Sequence, residues 1–291
     1  MAERKSKPRF DRSTQDIGNI LGLEHVNVTV PDQSQATNFY VQGMGFTRDP
    51  YVDFGSFNVW INLGEQQFHL PTRDPQVVRG HVGVVVPDLD QLEQRLTRIS
   101  RQFAESKFSF KRLKSRIDVT CPWGNRIRCF APGDFRDMSL GIPYVEFDVP
   151  EGTTKDIAEF YVTIMGAPAS AAKGLARVSI GKGQELRFRE TPKKLPPYDG
   201  HHIAIYTVNF SGPHNLLNKK KLVIEESDNH QYRFNRIVAP RTGKVLFEIE
   251  HEVRSLYHPM FARNLTNRNA DQSFFNYRRG RDAFMPALRS I

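Results

Sequence analysis

Leu23-Glu24-His25-Val26-Asn27-Val28-Thr29-Val30-Pro31 alternates polar and apolar side chains and stops at a proline. A strand with this pattern carries His25, Asn27 and Thr29 on one face and Val26, Val28 and Val30 on the other. The pattern recurs in His81-Val82-Gly83-Val84-Val85-Val86-Pro87 and in Tyr144-Val145-Glu146-Phe147-Asp148-Val149-Pro150, each opening six positions before its proline. A fourth copy without the proline is His202-Ile203-Ala204-Ile205-Tyr206-Thr207-Val208.

Each copy is followed by the same order of elements. After the first strand, Asp32 to Val41 has Ala36, Phe39 and Tyr40 at helical spacing, a capping residue in Asp32 or Ser34, and Gly43 and Gly45 as its stop. Strand-like runs then occupy Phe46 to Val52, Ser56 to Leu63 and Gln66 to Leu70. The second copy predicts a helix from Leu89 to Phe103 and three strands, the last two joined at Cys121-Pro122-Trp123-Gly124; the third echoes Phe39-Tyr40-Val41 as Phe160-Tyr161-Val162. The fourth predicts a short helix near His214 and a last strand from Val245 to Ile249.

The chain is therefore read as an internal repeat of βαβββ modules, roughly 55 to 65 residues each. One module cannot cover both its sheet and its helix, so modules must pair. Pairing in chain order predicts an α+β fold of two cupped, mixed-sheet domains. These would cover residues 21–141 and 142–259, with a basic arm at 1–20 and a polar tail at 260–291.

With 291 residues the chain has room for two domains with substantial cores. No apolar run reaches the length of a membrane span, and the start of the chain lacks the hydrophobic part of a secretory signal, so a cytoplasmic protein is expected. The two cysteines, Cys121 and Cys129, make no disulfide framework and are expected to be structural thiols. The net charge of +9 points to an anionic partner. Much of the excess lies near the ends, in Arg4, Lys5, Lys7, Arg9 and Arg12 and in Arg278, Arg279, Arg281 and Arg289. No helix-turn-helix or zinc-finger pattern accompanies it, which favours a small anionic substrate over nucleic acid.

The first strands ending in Val-Pro, the Phe-Tyr helix before Gly43-Met44-Gly45-Phe46, the Gln67-Phe68-His69-Leu70 strand and the Pro122-Trp123-Gly124-Asn125-Arg126-Ile127 turn resemble the vicinal oxygen chelate superfamily. That group includes glyoxalase I, extradiol ring-cleaving dioxygenases, fosfomycin resistance enzymes and bleomycin-binding proteins. The resemblance covers about residues 21 to 255 and implies cupped sheets around a metal held by His, Glu or Gln from the first and fourth strands of each module.

Carried onto this sequence, the resemblance makes His25, His69 and His81 the expected metal ligands. Three neutral imidazoles leave positions open for substrate, as catalytic metal sites do. Arg128 stands where metal-binding members commonly have Glu; a guanidinium cannot ligate but can hold a substrate carboxylate or phenolate, and Asn27 is a second expected binding residue. In the third and fourth modules the corresponding positions are Tyr144, Arg187, His202 and a carboxylate, Glu248 or Glu250. Either Tyr144 and His202, with His201, do acid-base or binding work there, or this half is a structural partner, which is the favoured expectation.

The resemblance implies a metal-dependent enzyme, with Fe(II) the expected metal and Zn, Mn or Ni also compatible. An extradiol-type dioxygenase, hence an oxidoreductase, is the leading expectation. The alternatives are a glyoxalase-type lyase or isomerase, or a metal-free binding or assembly protein on the same fold. A homodimer is compatible with the tail.

Overall fold

The computed structural model describes residues 11–53, 57–135, 138–263 and 265. The basic cluster from Arg4 to Arg9 and the tail residues from 266 onward, with their arginines and the aromatic residues Phe274, Phe275, Tyr277 and Phe284, lie outside the described residues.

All four βαβββ modules are present. The first comprises β1 (Ile20–Asn27), α1 (Gln33–Thr37, continuing as a π-helical turn over Asn38–Gly43), β2 (Thr47–Asp53), β3 (Asn58–Leu63) and β4 (Gln66–Pro71). The second has β5 (Gly80–Val85), α2 (Leu89–Ile99), β6 (Ser109–Arg112), β7 (Arg116–Thr120) and β8 (Arg126–Phe130). In the third, β9 (Gly141–Pro150) and α3 (Thr154–Phe160, again with a π turn, Tyr161–Met165) precede β10 (Ala169–Ala172), β11 (Leu175–Ser179) and β12 (Glu185–Thr191). The fourth has β13 (His202–Thr207), α4 (Ser211–Lys219), β14 (Val223–Asp228), β15 (Gln231–Val238) and β16 (Val245–Ser255).

Local chemistry explains the helix limits. The Asp32 carboxylate accepts the Gln35 amide and caps α1, and Asp88 accepts the amides of Asp90 and Gln91 to start α2. The apolar stripe of Leu89, Leu92, Leu96 and Ile99 is buried. The end of the expected second helix, Ser100–Phe103, tightens into a 3₁₀ turn.

The pairing of modules differs from chain order. One eight-stranded sheet runs β14-β15-β16-β13-β1-β4-β3-β2 and the other β10-β11-β12-β9-β5-β8-β7-β6. The first module thus shares a sheet with the fourth, and the second with the third, so 21–141 and 142–259 are not each a paired unit. Consecutive modules meet through their helices instead. A Cβ on Gly43 at the end of the α1 turn would lie 2.3 Å from Ile99 of α2, and Phe39 packs edge-on against Phe103 and Phe108. In the other half the Tyr161 hydroxyl bonds the His251 ring at 2.7 Å. Alternation tells which face of a first strand is buried but not which copy it pairs with, because all four copies present the same ladder.

In both sheets the apolar face joins one continuous core, and the polar positions of the alternation line the concave face. Expressed separately, residues 1–141 and 142–291 would each hold half of both sheets. We expect neither fragment to melt cooperatively alone and the mixture to regain a cooperative transition; a cooperative melt of 1–141 by itself would contradict this pairing.

A candidate metal centre between the first and fourth modules

The antiparallel ladder between β1 and β13 sets Asn27 opposite His202 and His25 opposite Ala204. The parallel ladder between β1 and β4 sets Asn27 beside His69. These registers bring His25, His69 and His202 together: one ring nitrogen from each lies within 4.8 Å of the others, a group able to hold a metal ion. The Nε2 atoms of His25 and His202 are 3.5 Å apart.

The nitrogens of this cluster are poorly satisfied by the protein. Both ring nitrogens of His69, and Nδ1 of His25, are buried without a hydrogen-bond partner, although the Glu24 carboxylate lies 3.7 Å from His25 Nδ1. Buried nitrogens without partners are costly, and an ion would take the lone pair of one His69 nitrogen. Burial, reinforced by His25 and His202, holds the His69 pKa well below the ordinary histidine value. Burial also lowers that of His25, opposed by Glu24. Both rings are thus neutral at physiological pH, the form that ligates. Trp60 fixes their planes, stacking on His69 at 3.9 Å and meeting His25 edge-on at 4.8 Å.

A carboxylate completes the set. Glu252 on β16 is registered beside Ala204 as His69 is beside Asn27, and its Oε2 lies 3.5 Å from His202 Nε2. Burial pushes its pKa up, but Arg254, His202 and Arg233 outweigh that and hold it well below the usual range, so it is ionised. Arg233 donates to Oε2 at 2.5 Å, and Arg254 pairs with both Glu252 and Glu24. Glu24 is the extra residue at an irregularity in β1 between Leu23 and His25. The expected carboxylate was Glu248 or Glu250; Glu250 reaches His202 Nδ1 at 3.5 Å, while Glu248 is near the strand start and pairs with Arg236 at 3.8 Å. Glu252 escaped because the last strand, expected to end at Ile249, runs on to Ser255. The signal was the alternation of Glu250, Glu252 and Arg254 with His251 and Val253.

The other sheet repeats the geometry with different chemistry. Gly83 faces Tyr144 and His81 faces Glu146, while Arg128 lies beside Gly83 and Arg187 beside Glu146. By register, His81, Arg128, Tyr144 and Arg187 therefore occupy the places held by His25, His69, His202 and Glu252. The expected trio of His25, His69 and His81 is not formed, because β5 pairs with β9 rather than β1. His81 instead bonds the Tyr144 hydroxyl at 3.1 Å. Arg128 and Tyr144 lie with it, away from the histidine cluster, and His202, expected to act beside Tyr144, takes His81's place in that cluster. Asn27 lies on the floor of the first cup, its amide 3.4 Å from Gln76 Oε1 and its Oδ1 without a partner. Tyr144 lies over Gly83, where a Cβ would be 2.3 Å from the ring.

The segment after β16 closes over the first cup. Met260 packs with Val52 and Trp60, Phe261 meets Tyr206 edge-on at 4.9 Å, and Arg263 forms a buried ion pair with Asp49. A cavity of about 420 Å³ beneath it is lined by Glu24, Gln67, Tyr206, Met260 and Arg263 among others. Among the described residues no helix is long and apolar enough to cross a membrane. Cys121 and Cys129 are buried free thiols.

No protein-family model matches the chain, and no curated protein matches it. Solved structures do. A candidate dioxygenase from Bacillus subtilis subsp. subtilis superposes with a TM-score of 0.58 at 15% identity, over 89% of this chain and 90% of that one. Glyoxalase I from Zea mays gives 0.59 at 12% identity, over 84% and 95%. The chain shares the fold of these two structures, a two-sheet α+β architecture.

Burial, then the guanidiniums of Arg128, Arg126 and Arg187, lower the His81 pKa to about 3. The unfolded chain therefore takes up this proton first, and acidification from about 6.5 toward 3 removes stability through this residue. In NMR titrations of the folded protein we expect the His81 ring to stay neutral from pH 8 to about 4, and its midpoint to rise in Arg128→Gln. A wild-type midpoint near 6.5 would contradict this.

Proposed function

We propose that the protein is a metal-dependent enzyme of the vicinal oxygen chelate type, with its centre in the first cup and an extradiol-type dioxygenase activity on a small anionic molecule. The observation that carries this reading is the convergence of three imidazoles, His25, His69 and His202, in which both ring nitrogens of His69 and Nδ1 of His25 are buried without a hydrogen-bond partner. His25, His69 and His202 would hold the ion, with Glu252 as fourth donor. Imidazole and carboxylate together suit Fe(II), and also Zn, Mn or Ni. When bound, the metal would act as a Lewis acid on adjacent oxygens of the substrate and, if ferrous, admit oxygen.

The chain's own residues prepare the site. Glu24 beside His25 Nδ1 favours the proton on that nitrogen and leaves Nε2 free to donate its lone pair. Arg254, buried between Glu24 and Glu252, fixes both carboxylates. Four carboxylates (Glu24, Glu225, Glu250, Glu252) face two guanidiniums (Arg233, Arg254), a balance of −2 that a divalent ion would neutralise. The cavity bordered by Glu24 and Tyr206 has room for a small substrate. Burial keeps the Tyr206 hydroxyl protonated, ready to donate to a substrate oxygen. Asn27 on the cup floor is the further polar group for positioning it.

A second reading, a glyoxalase-type isomerase or lyase, uses the same donors and has the likeness to Zea mays glyoxalase I in its favour. The ion pairs already held by Glu252 favour a third, a metal-free binding protein.

Metal analysis of protein reconstituted anaerobically with Fe(II) separates these readings. We expect about one equivalent bound, an affinity about a hundredfold weaker in His69→Ala with the circular dichroism spectrum unchanged, and Fe(II)-dependent oxygen uptake with catechols. Less than about a tenth of an equivalent of any transition metal would overturn the metal reading. Stoichiometric metal without oxygen uptake, but with isomerisation of a thiol-conjugated 2-oxoaldehyde, would replace the dioxygenase by the second reading.

A further inference from the structure

We propose that the cup of the second and third modules is a metal-free binding site for a small organic carboxylate, held between Arg128 and Arg187 above the ring of Tyr144. This inference does not rest on the metal reading of the first cup. Both arginines stand at register positions that carry His69 and Glu252 in the other sheet, so the fold aims them at the centre of the concave face.

The charge balance there is the reverse of the first cup. Five guanidiniums share three carboxylates: Arg116 and Arg128 approach Asp118, Arg177 and Arg187 approach Glu185, and Arg189 pairs with the buried Glu146, which lies beside Arg187 in register. Asp118 is engaged through both oxygens by Arg116, at 2.7 and 3.2 Å, and Arg128 reaches it only at 4.0 Å. Glu185 Oε2 is bonded by Arg177 and Arg187 together, each at 2.7 Å. The excess of positive charge calls for an anion and repels a metal ion.

The site is also pre-shaped. The Arg187 guanidinium lies 3.8 Å from the centre of the Tyr144 ring, and its Nε is tied to Glu185. Stacking and tether hold the planar fork in one orientation, which reduces the entropy lost on binding a carboxylate. Tyr144 is itself fixed by its hydroxyl bond to His81. Phe130 and Phe135 stand 6.2 and 5.8 Å from the Tyr144 ring and give the cup an apolar wall. Side chains of Arg128 and Arg187 remain 39% and 17% exposed, so an incoming anion can reach them. Two forks beside an aromatic wall select a flat carboxylate such as benzoate over inorganic phosphate, which lacks the apolar part.

Calorimetric titration of the full chain, stripped of metal with EDTA and then dialysed free of it, with benzoate, acetate and inorganic phosphate tests the proposal. We expect saturable benzoate binding, weaker acetate and phosphate binding, and a benzoate Kd raised about tenfold in Arg128→Gln and in Arg187→Gln. Arg187→Lys, which keeps the charge and loses the fork, should weaken binding several-fold and guards against a folding defect, checked by an unchanged melting temperature. His69→Ala, in the other cup, should leave benzoate binding as it was. Absence of saturable benzoate binding, a Kd indifferent to all three arginine variants, loss of binding in His69→Ala, or phosphate binding tighter than benzoate would each overturn it.

Discussion

The antiparallel ladder between β1 and β13 is the contact on which the first cup depends. Its register sets Asn27 against His202 and His25 against Ala204, and the flanking parallel ladders carry His69 and Glu252 to the same concave face. Because side chains alternate with period two, a slip of one residue would turn these donors toward the core and the valines toward the cup. Core packing on the helix side therefore also fixes the chemistry on the other side. The donors come from β1, β4, β13 and β16 of one chain, so the cluster needs no second copy.

The same ladder occurs twice, between β1 and β13 and between β5 and β9, and the two cups use it in opposite ways. In the first, imidazoles and carboxylates gather where unpartnered nitrogens call for a cation. In the second, a tyrosine replaces one histidine and arginines take both fourth-strand positions, leaving positive charge in excess. Gly83 belongs to that change: it opens the space into which the Tyr144 ring fits. One backbone thus presents two electrostatic environments, set by four positions in each sheet.

Much of this was legible in the sequence. Alternation identified the four first strands and their polar faces, and the helix caps at Asp32 and Asp88 fall where the residue types place them. The resemblance singled out His25 and His69, and the structure brings both together with His202. The partner was not legible, since four copies of one ladder leave the pairing to long-range packing such as that of Gly43 on Ile99. That one ambiguity placed His81 with His25 and set His202 apart. The carboxylate was missed for a local reason: Glu252 lies in a polar run that belongs to β16 only because Glu250, Glu252 and Arg254 face the cup while His251 stacks on Phe234 at 4.3 Å in the core.

The two cups, alike in backbone, would differ in the sign of the ion they take. Anomalous diffraction at the cobalt edge, from crystals grown with Co(II), tests it most directly. We expect one anomalous peak, bounded by His25, His69 and His202, and none between His81 and Tyr144. A peak beside His81, or none at the histidine cluster, would contradict it.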